Sequence, residues 1–156
     1  MHILFVCTGN TCRSPLAEAL AARIIRERSL SDIDVASAGT NAADGSSASD
    51  GALLVGLEHD LDLGRHRARL LTRDLVLDAD LILAMGPLHL ERIEALGGEK
   101  KAHLLTAYAS HGATQSTISD PFGGDLDVYR ATVAELKEQL ARVFDRIHAE
   151  RGSGAS

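Results

Sequence analysis

The chain has 156 residues, 45% of them hydrophobic and 24% charged, with a formal net charge of −6. That length and balance suit one ordinary domain with a two-sided core and speak against a disordered or membrane-embedded chain. The acidic surplus argues against a nucleic-acid face, so an anion site has to be built locally from backbone N–H groups and individually placed arginines.

In chain order, Ile3 to Val6 is an unbroken apolar run of strand formers, as in a fully buried parallel strand, and it stops at Cys7. It is also the longest apolar stretch near the N-terminus, with neither a basic segment before it nor a small-residue cleavage site after it, so a cytoplasmic location is expected. Thr8, Gly9 and Asn10 read as loop residues. Ser14 and Pro15 stand where a helix N-cap and first helical position belong. From Leu16, apolar residues recur at spacing four toward Ile24, with Glu18 early and Arg23, Arg26 and Arg28 late, which predicts a helix aligned with its own dipole.

Ile33 to Ala36 reads as a second strand, followed by a loop rich in Ala, Gly, Ser and Asp through Asp50. Helices are expected over Gly51 to Leu57 and from Thr72, with Asp74 in its first turn, before a third strand over Asp80 to Ala84. Pro87 to Leu96 reads as a helix ending at Gly97 and Gly98. Ala102 to Leu105 is the next apolar run, and Asp127 to about His148 forms a long amphipathic helix. Strands alternating with helices predict an α/β fold, a three-layer sandwich with a parallel sheet of about four strands and helices on both faces. A single domain over residues 1–150 is expected, with a frayed tail at 151–156. In such sheets the ligand site lies at the carboxyl ends of the strands, where Cys7 falls.

The segment Cys7-Thr8-Gly9-Asn10-Thr11-Cys12-Arg13-Ser14-Pro15 joins strand to helix, so successive N–H groups and the helix N-terminus favour an anion there. Gly9 and Asn10 tolerate the positive φ such a loop needs, and Arg13 can grip two phosphoryl oxygens through its planar fork. The same donors would hold Cys7 as a thiolate able to attack phosphorus, with no metal and no cofactor required. Ser14 can donate to that thiolate as well as cap the helix; the plainer alternatives make Cys7 a small buried hydrophobe and Ser14 a cap alone.

These nine residues resemble the signature of the low-molecular-weight protein phosphatase family, and Asp120-Pro121-Phe122 resembles its late acid motif. The resemblance implies that Cys7 is the nucleophile, Arg13 binds phosphate and Asp120 protonates the leaving group. Thr8, Gly9, Asn10, Thr11, Cys12, Arg13 and Ser14 would form the cradle. Without the resemblance, Asp120 could equally open an ordinary helix-leading turn. Ser37 and His66 resemble the family's residues that brace Asn10, although His66, among Arg65, Arg67 and Arg69, also reads as a plain surface residue.

Within the family, protein-arginine phosphatases resemble this chain in carrying Thr at the position of Thr11, where tyrosine phosphatases usually carry a bulky aliphatic residue. The Asp-Pro-Phe-Gly-Gly run points the same way. Phosphoarginine presents a polar N–H array that suits a hydroxyl and a carboxylate, and the loop Asn41 to Asp50 offers no aromatic wall, leaving Phe122 alone. The expected partners are therefore phosphorylated proteins, neither nucleic acid nor membrane. Tyrosine phosphatase is the alternative. An arsenate reductase would need more thiols than Cys12 adds, and a non-catalytic phosphate-binding module would waste the nucleophile and acid. Cys12, in the same loop as Cys7, either packs as a small residue or pairs with Cys7 in a reversible disulfide.

Overall fold

The computed structural model describes residues 1–154. Its sheet has the strands β1 (His2–Cys7), β2 (Asp34–Gly39), β3 (Leu81–Ala84) and β4 (Ala102–Leu104), all parallel, in the order β2-β1-β3-β4. Helices connect them: α1 (Arg13–Glu27) follows β1, α2 (Asp50–Glu58) and α3 (Arg73–Asp78) follow β2, α4 (Pro87–Ala95) follows β3, and α5 (Leu105–Ala109) and α6 (Leu126–Gly154) follow β4. The α/β sandwich expected from the alternation is the fold observed.

Alternation along β1 divides the core in two. Ile3, Phe5 and Cys7 face α1, α2, α5 and α6 with Leu16, Leu20, Val55, Leu136 and Phe144, while Leu4 and Val6 face α3 and α4 with Val76 and Ile93. Because both faces are covered, β1 has no polar side chain between Ile3 and Val6, which are all fully buried. The strand order reverses direction at β1. Successive crossovers leave it first toward β2 and then toward β3, opening a crevice beyond its carboxyl end.

Several boundaries differ from the sequence reading. β2 runs on to Gly39 because Ser37, Ala38 and Gly39 pair with Phe5, Val6 and Cys7, and this long-range pairing overrides a Ser-Ala-Gly stretch that looks like loop. α5, only five residues long, was not expected at all, being too short for a periodic signal. α6 extends past His148 to Gly154, where Arg151 pairs with Asp32. Of the tail expected to fray, residues 151–154 therefore continue the helix, and residues 155–156 lie outside the described residues. No helix among the described residues is long and apolar enough to cross a membrane.

Candidate functional site

Between β1 and α1 the chain makes one tight loop, whose conformation is set by Asn10. Its φ is +56°, in the left-handed region that Asn tolerates better than most residues. Gly9, expected to share that role, is not among the positive-φ residues. The Asn10 side chain is fully buried and fully bonded. Its amide nitrogen donates to Ser14 Oγ (2.8 Å) and Ser37 Oγ (2.9 Å), and its Oδ1 accepts from the Arg69 backbone N–H (3.0 Å). Its backbone carbonyl is bonded to His66 Nε2 at 2.7 Å. Ser37 Oγ in turn donates to Glu18 Oε1 at 2.7 Å, and Arg69 Nε donates to the Ser37 carbonyl. Ser37 and His66 therefore both bond to Asn10, as do neighbours not singled out from sequence: Arg69 directly, and Glu18 through Ser37.

Ser14 does not cap the helix. α1 begins at Arg13, with Cys12 as its N-cap and no side-chain cap bond. Ser14 Oγ instead accepts from Asn10 and lies 2.8 Å from Cys7 Sγ, where either atom can donate to the other. Cys7, 3% exposed, thus has as its side-chain hydrogen-bond neighbour a hydroxyl that Asn10 holds in place.

Cys7, Thr8, Gly9, Thr11, Cys12, Arg13, Asp120 and Phe122 line one cavity of about 180 Å3. Asn10 and Ser14, which sequence reasoning grouped with the cradle, have their side chains behind the loop and act on it from the core side. Arg13 is 5% exposed and its Nη1 donates to the Ile118 carbonyl at 3.1 Å, leaving Nη2 3.6 Å from Asp120 Oδ2. Its fork is therefore fixed by one protein bond before any ligand arrives. Asp120, half exposed, accepts the Phe122 backbone N–H on Oδ1 at 3.1 Å, in a turn that closes the cavity from the side opposite the sheet. Phe122 is 73% exposed on the rim.

Two further groups touch the loop. Cys12 Sγ lies 3.2 Å from Ser49 Oγ and 3.5 Å from the Tyr129 hydroxyl, and Ser49 also caps α2 through its bond from the Ala52 N–H. Burial, together with the bond to Cys12, pushes the Tyr129 hydroxyl pKa up, which keeps it a protonated donor. His89, in the first turn of α4, is buried with Nε2 2.8 Å from Thr8 Oγ1. Burial first, then the nearby Arg13 charge, lower its pKa to about 4 against the opposing pull of Asp120, so the imidazole is neutral at physiological pH. None of the three was legible as a site residue. The rule that ligands sit at strand carboxyl ends would have found His89, five residues beyond the end of β3.

The family described as low molecular weight phosphotyrosine protein phosphatase matches residues 2–153. A protein-arginine-phosphatase of Bacillus subtilis is 37% identical over 151 residues, covering 97% of this chain and 99% of that one. The low molecular weight protein-tyrosine-phosphatase PtpB of Staphylococcus haemolyticus is 38% identical over 137 residues, covering 87% and 92%. Among solved structures, the YwlE arginine phosphatase from Geobacillus stearothermophilus superimposes with a TM-score of 0.88 at 37% identity, covering 97% and 96%. Another, described as YwlE arginine phosphatase, C7S mutant with phosphorylated active site serine, gives a TM-score of 0.90 at 37% identity, covering 97% and 98%.

Proposed function

Because the chain belongs to the low molecular weight phosphotyrosine protein phosphatase family, we propose that it hydrolyses phosphoarginine in proteins through a phosphocysteine intermediate. In the first step the Cys7 thiolate attacks phosphorus, the P–N bond breaks, and the leaving guanidino nitrogen takes a proton from Asp120. In the second, water attacks the phosphocysteine and gives a proton to the Asp120 carboxylate. The S–P bond breaks, releasing phosphate and restoring the thiolate. Arg13, already bonded to the Ile118 carbonyl, and the loop N–H groups meet the charge that builds on the phosphoryl oxygens. The similar structure with a phosphorylated active site serine supports the covalent route.

The observation that carries the substrate reading is the cavity lining: the hydroxyls of Thr8 and Thr11, the Asp120 carboxylate and a single aromatic, Phe122, held out on the rim. The Thr11 hydroxyl has one protein neighbour, Cys12 Sγ at a long 3.8 Å, and so remains available to a guanidino N–H. The test is kcat/KM on matched phosphoarginine and phosphotyrosine peptides under reducing conditions, with Cys7→Ser as the blank. Preference for phosphoarginine is expected, and Thr11→Ile should move it toward phosphotyrosine by about tenfold, the size of one lost polar contact. An unchanged ratio in Thr11→Ile would remove the role given to that hydroxyl. Preference of the wild type for phosphotyrosine would keep the chemistry and move the substrate.

Peroxide should inactivate the enzyme reversibly. The Cys7 thiolate is oxidised to a sulfenic acid, which condenses with the Cys12 thiol to a disulfide, releasing water. Both thiols are free in the structure, and Cys12 must give up its contacts to Ser49 and Tyr129 to turn toward Cys7. Mass spectrometry of peroxide-treated protein should find the Cys7–Cys12 linkage, and added thiol should restore activity. Irreversible loss with no linkage would refute it.

A further inference from the structure

His89 takes no part in the steps above, yet it is placed to control one wall of the cradle. It lies in the first turn of α4, just beyond the carboxyl end of β3, and is 6% exposed. One ring nitrogen, Nε2, is 2.8 Å from Thr8 Oγ1. The other, Nδ1, is fully buried with no hydrogen-bond partner among the described residues. Thr8 lines the cavity between Cys7 and Gly9.

A neutral imidazole carries one N–H, on one nitrogen or the other. If the proton sat on Nδ1, a buried donor would be left unpaired, an arrangement rarer in proteins than an under-used acceptor. With the proton on Nε2, the bond to Thr8 is made with His89 as donor and only a lone pair goes unused. The Thr8 oxygen then accepts from His89, and its own proton is free to turn into the cavity.

We propose that His89 is a positioning residue: as the neutral Nε2–H tautomer it donates to Thr8 and turns the Thr8 hydroxyl into a side-chain donor for a phosphoryl oxygen. The cradle then has one donor that is neither backbone nor Arg13. This rests on the phosphatase reading above. The charged groups facing His89 are Arg13 from α1 and Asp120 from the loop before α6; burial and Arg13 outweigh Asp120 and leave the ring neutral across the physiological range.

The tautomer is read directly from the long-range 1H–15N correlation spectrum of the labelled full-length protein. His89 should show the Nε2–H pattern and stay neutral from about pH 5.5 to 8. An Nδ1–H pattern, or an imidazolium in that range, would overturn the proposal without reference to any substrate. In steady-state assays on an aryl phosphate, Thr8→Val and His89→Ala should each lower kcat about tenfold, with the double variant no slower than the worse single. Thr8→Ser and His89→Gln, which keep a hydroxyl and an uncharged donor, should recover most of it. Losses that multiply would overturn the proposal. Affinity for inorganic phosphate should also fall about tenfold in His89→Ala, and an unchanged affinity would count against it. A wild type inactive on every phosphorylated substrate would instead refute the proposed function, leaving the spectrum and phosphate affinity to decide on His89.

Discussion

Cys7→Ser is expected to lower kcat/KM by on the order of 10⁴-fold or more on every phosphorylated substrate, the size seen when a nucleophile is removed. The geometry explains why so small a change should do so much. The proposed reaction needs a negative sulfur, and the groups set beside it are the Ser14 hydroxyl, held by Asn10, and the N-terminus of α1. A serine hydroxyl in the same place ionises far less readily, so the donors face a group that rarely carries charge. Phosphate binding should survive, because Arg13 and the loop N–H groups are untouched. A serine that does react should hold its phosphoryl group, detectable as the added mass of one HPO3 unit. Thermal stability should not fall, since serine fits the space and can bond to Ser14. Turnover within tenfold of wild type would exclude Cys7 as nucleophile.

Arg13→Lys keeps the charge and is expected to lower kcat by about 10²- to 10³-fold, comparable to deleting one preorganised donor of an oxyanion site. Arg13 spends Nη1 on the Ile118 carbonyl while Nη2 stays 3.6 Å from Asp120, so one rigid plane serves the protein and the ligand together. A lysine ammonium is a point donor on a flexible stem and cannot hold both positions. KM should change much less than kcat, because the loss falls on charge that develops in the transition state. The Ile118 carbonyl, left without its buried partner, should also cost about 1–3 kcal/mol of stability. A variant with normal kcat and raised KM would limit Arg13 to ground-state binding.

How much of this was legible depended on distance along the chain. The sheet, α1 and the loop from Cys7 to Arg13 are local: a buried apolar run, Gly and Asn at a turn, Arg and Pro at a helix start. Asn10 at positive φ follows from its residue type, whereas Asp120 at the cavity mouth was expected only through the family resemblance. What sequence left open was how partners far apart would meet. Ser14, read as a cap that could also reach Cys7, makes no cap bond because Asn10 and Cys7 take its hydroxyl. Glu18 reads as a helix-dipole residue until Ser37 reaches it. Arg69 bonds Asn10 through a backbone N–H that carries no side-chain signal. His89 and Thr8 are eighty-one positions apart, and only the β1–β3 pairing brings them together.

Cys7 and Asp120, the nucleophile and acid of the proposed reaction, are also held by different means. Cys7 ends a central strand paired on both sides, and its loop is tied to Ser37, His66 and Arg69. Asp120 follows Ser119 on a stretch tied to the body by the Ile118 N–H to Met85, Arg13 to the Ile118 carbonyl, Thr132 to the Ser119 carbonyl, the Arg13–Asp120 pair at 3.6 Å and the buried Pro121, with Gly123 at φ +80° beyond it. The stretch that carries Asp120 is thus held outside the sheet and the cradle by the sheet itself, so local opening is expected to cost less around Asp120 than around Cys7. For the proposed reaction this would let phosphate leave and the next phosphorylated segment enter past Asp120 while the loop around Cys7 keeps its shape.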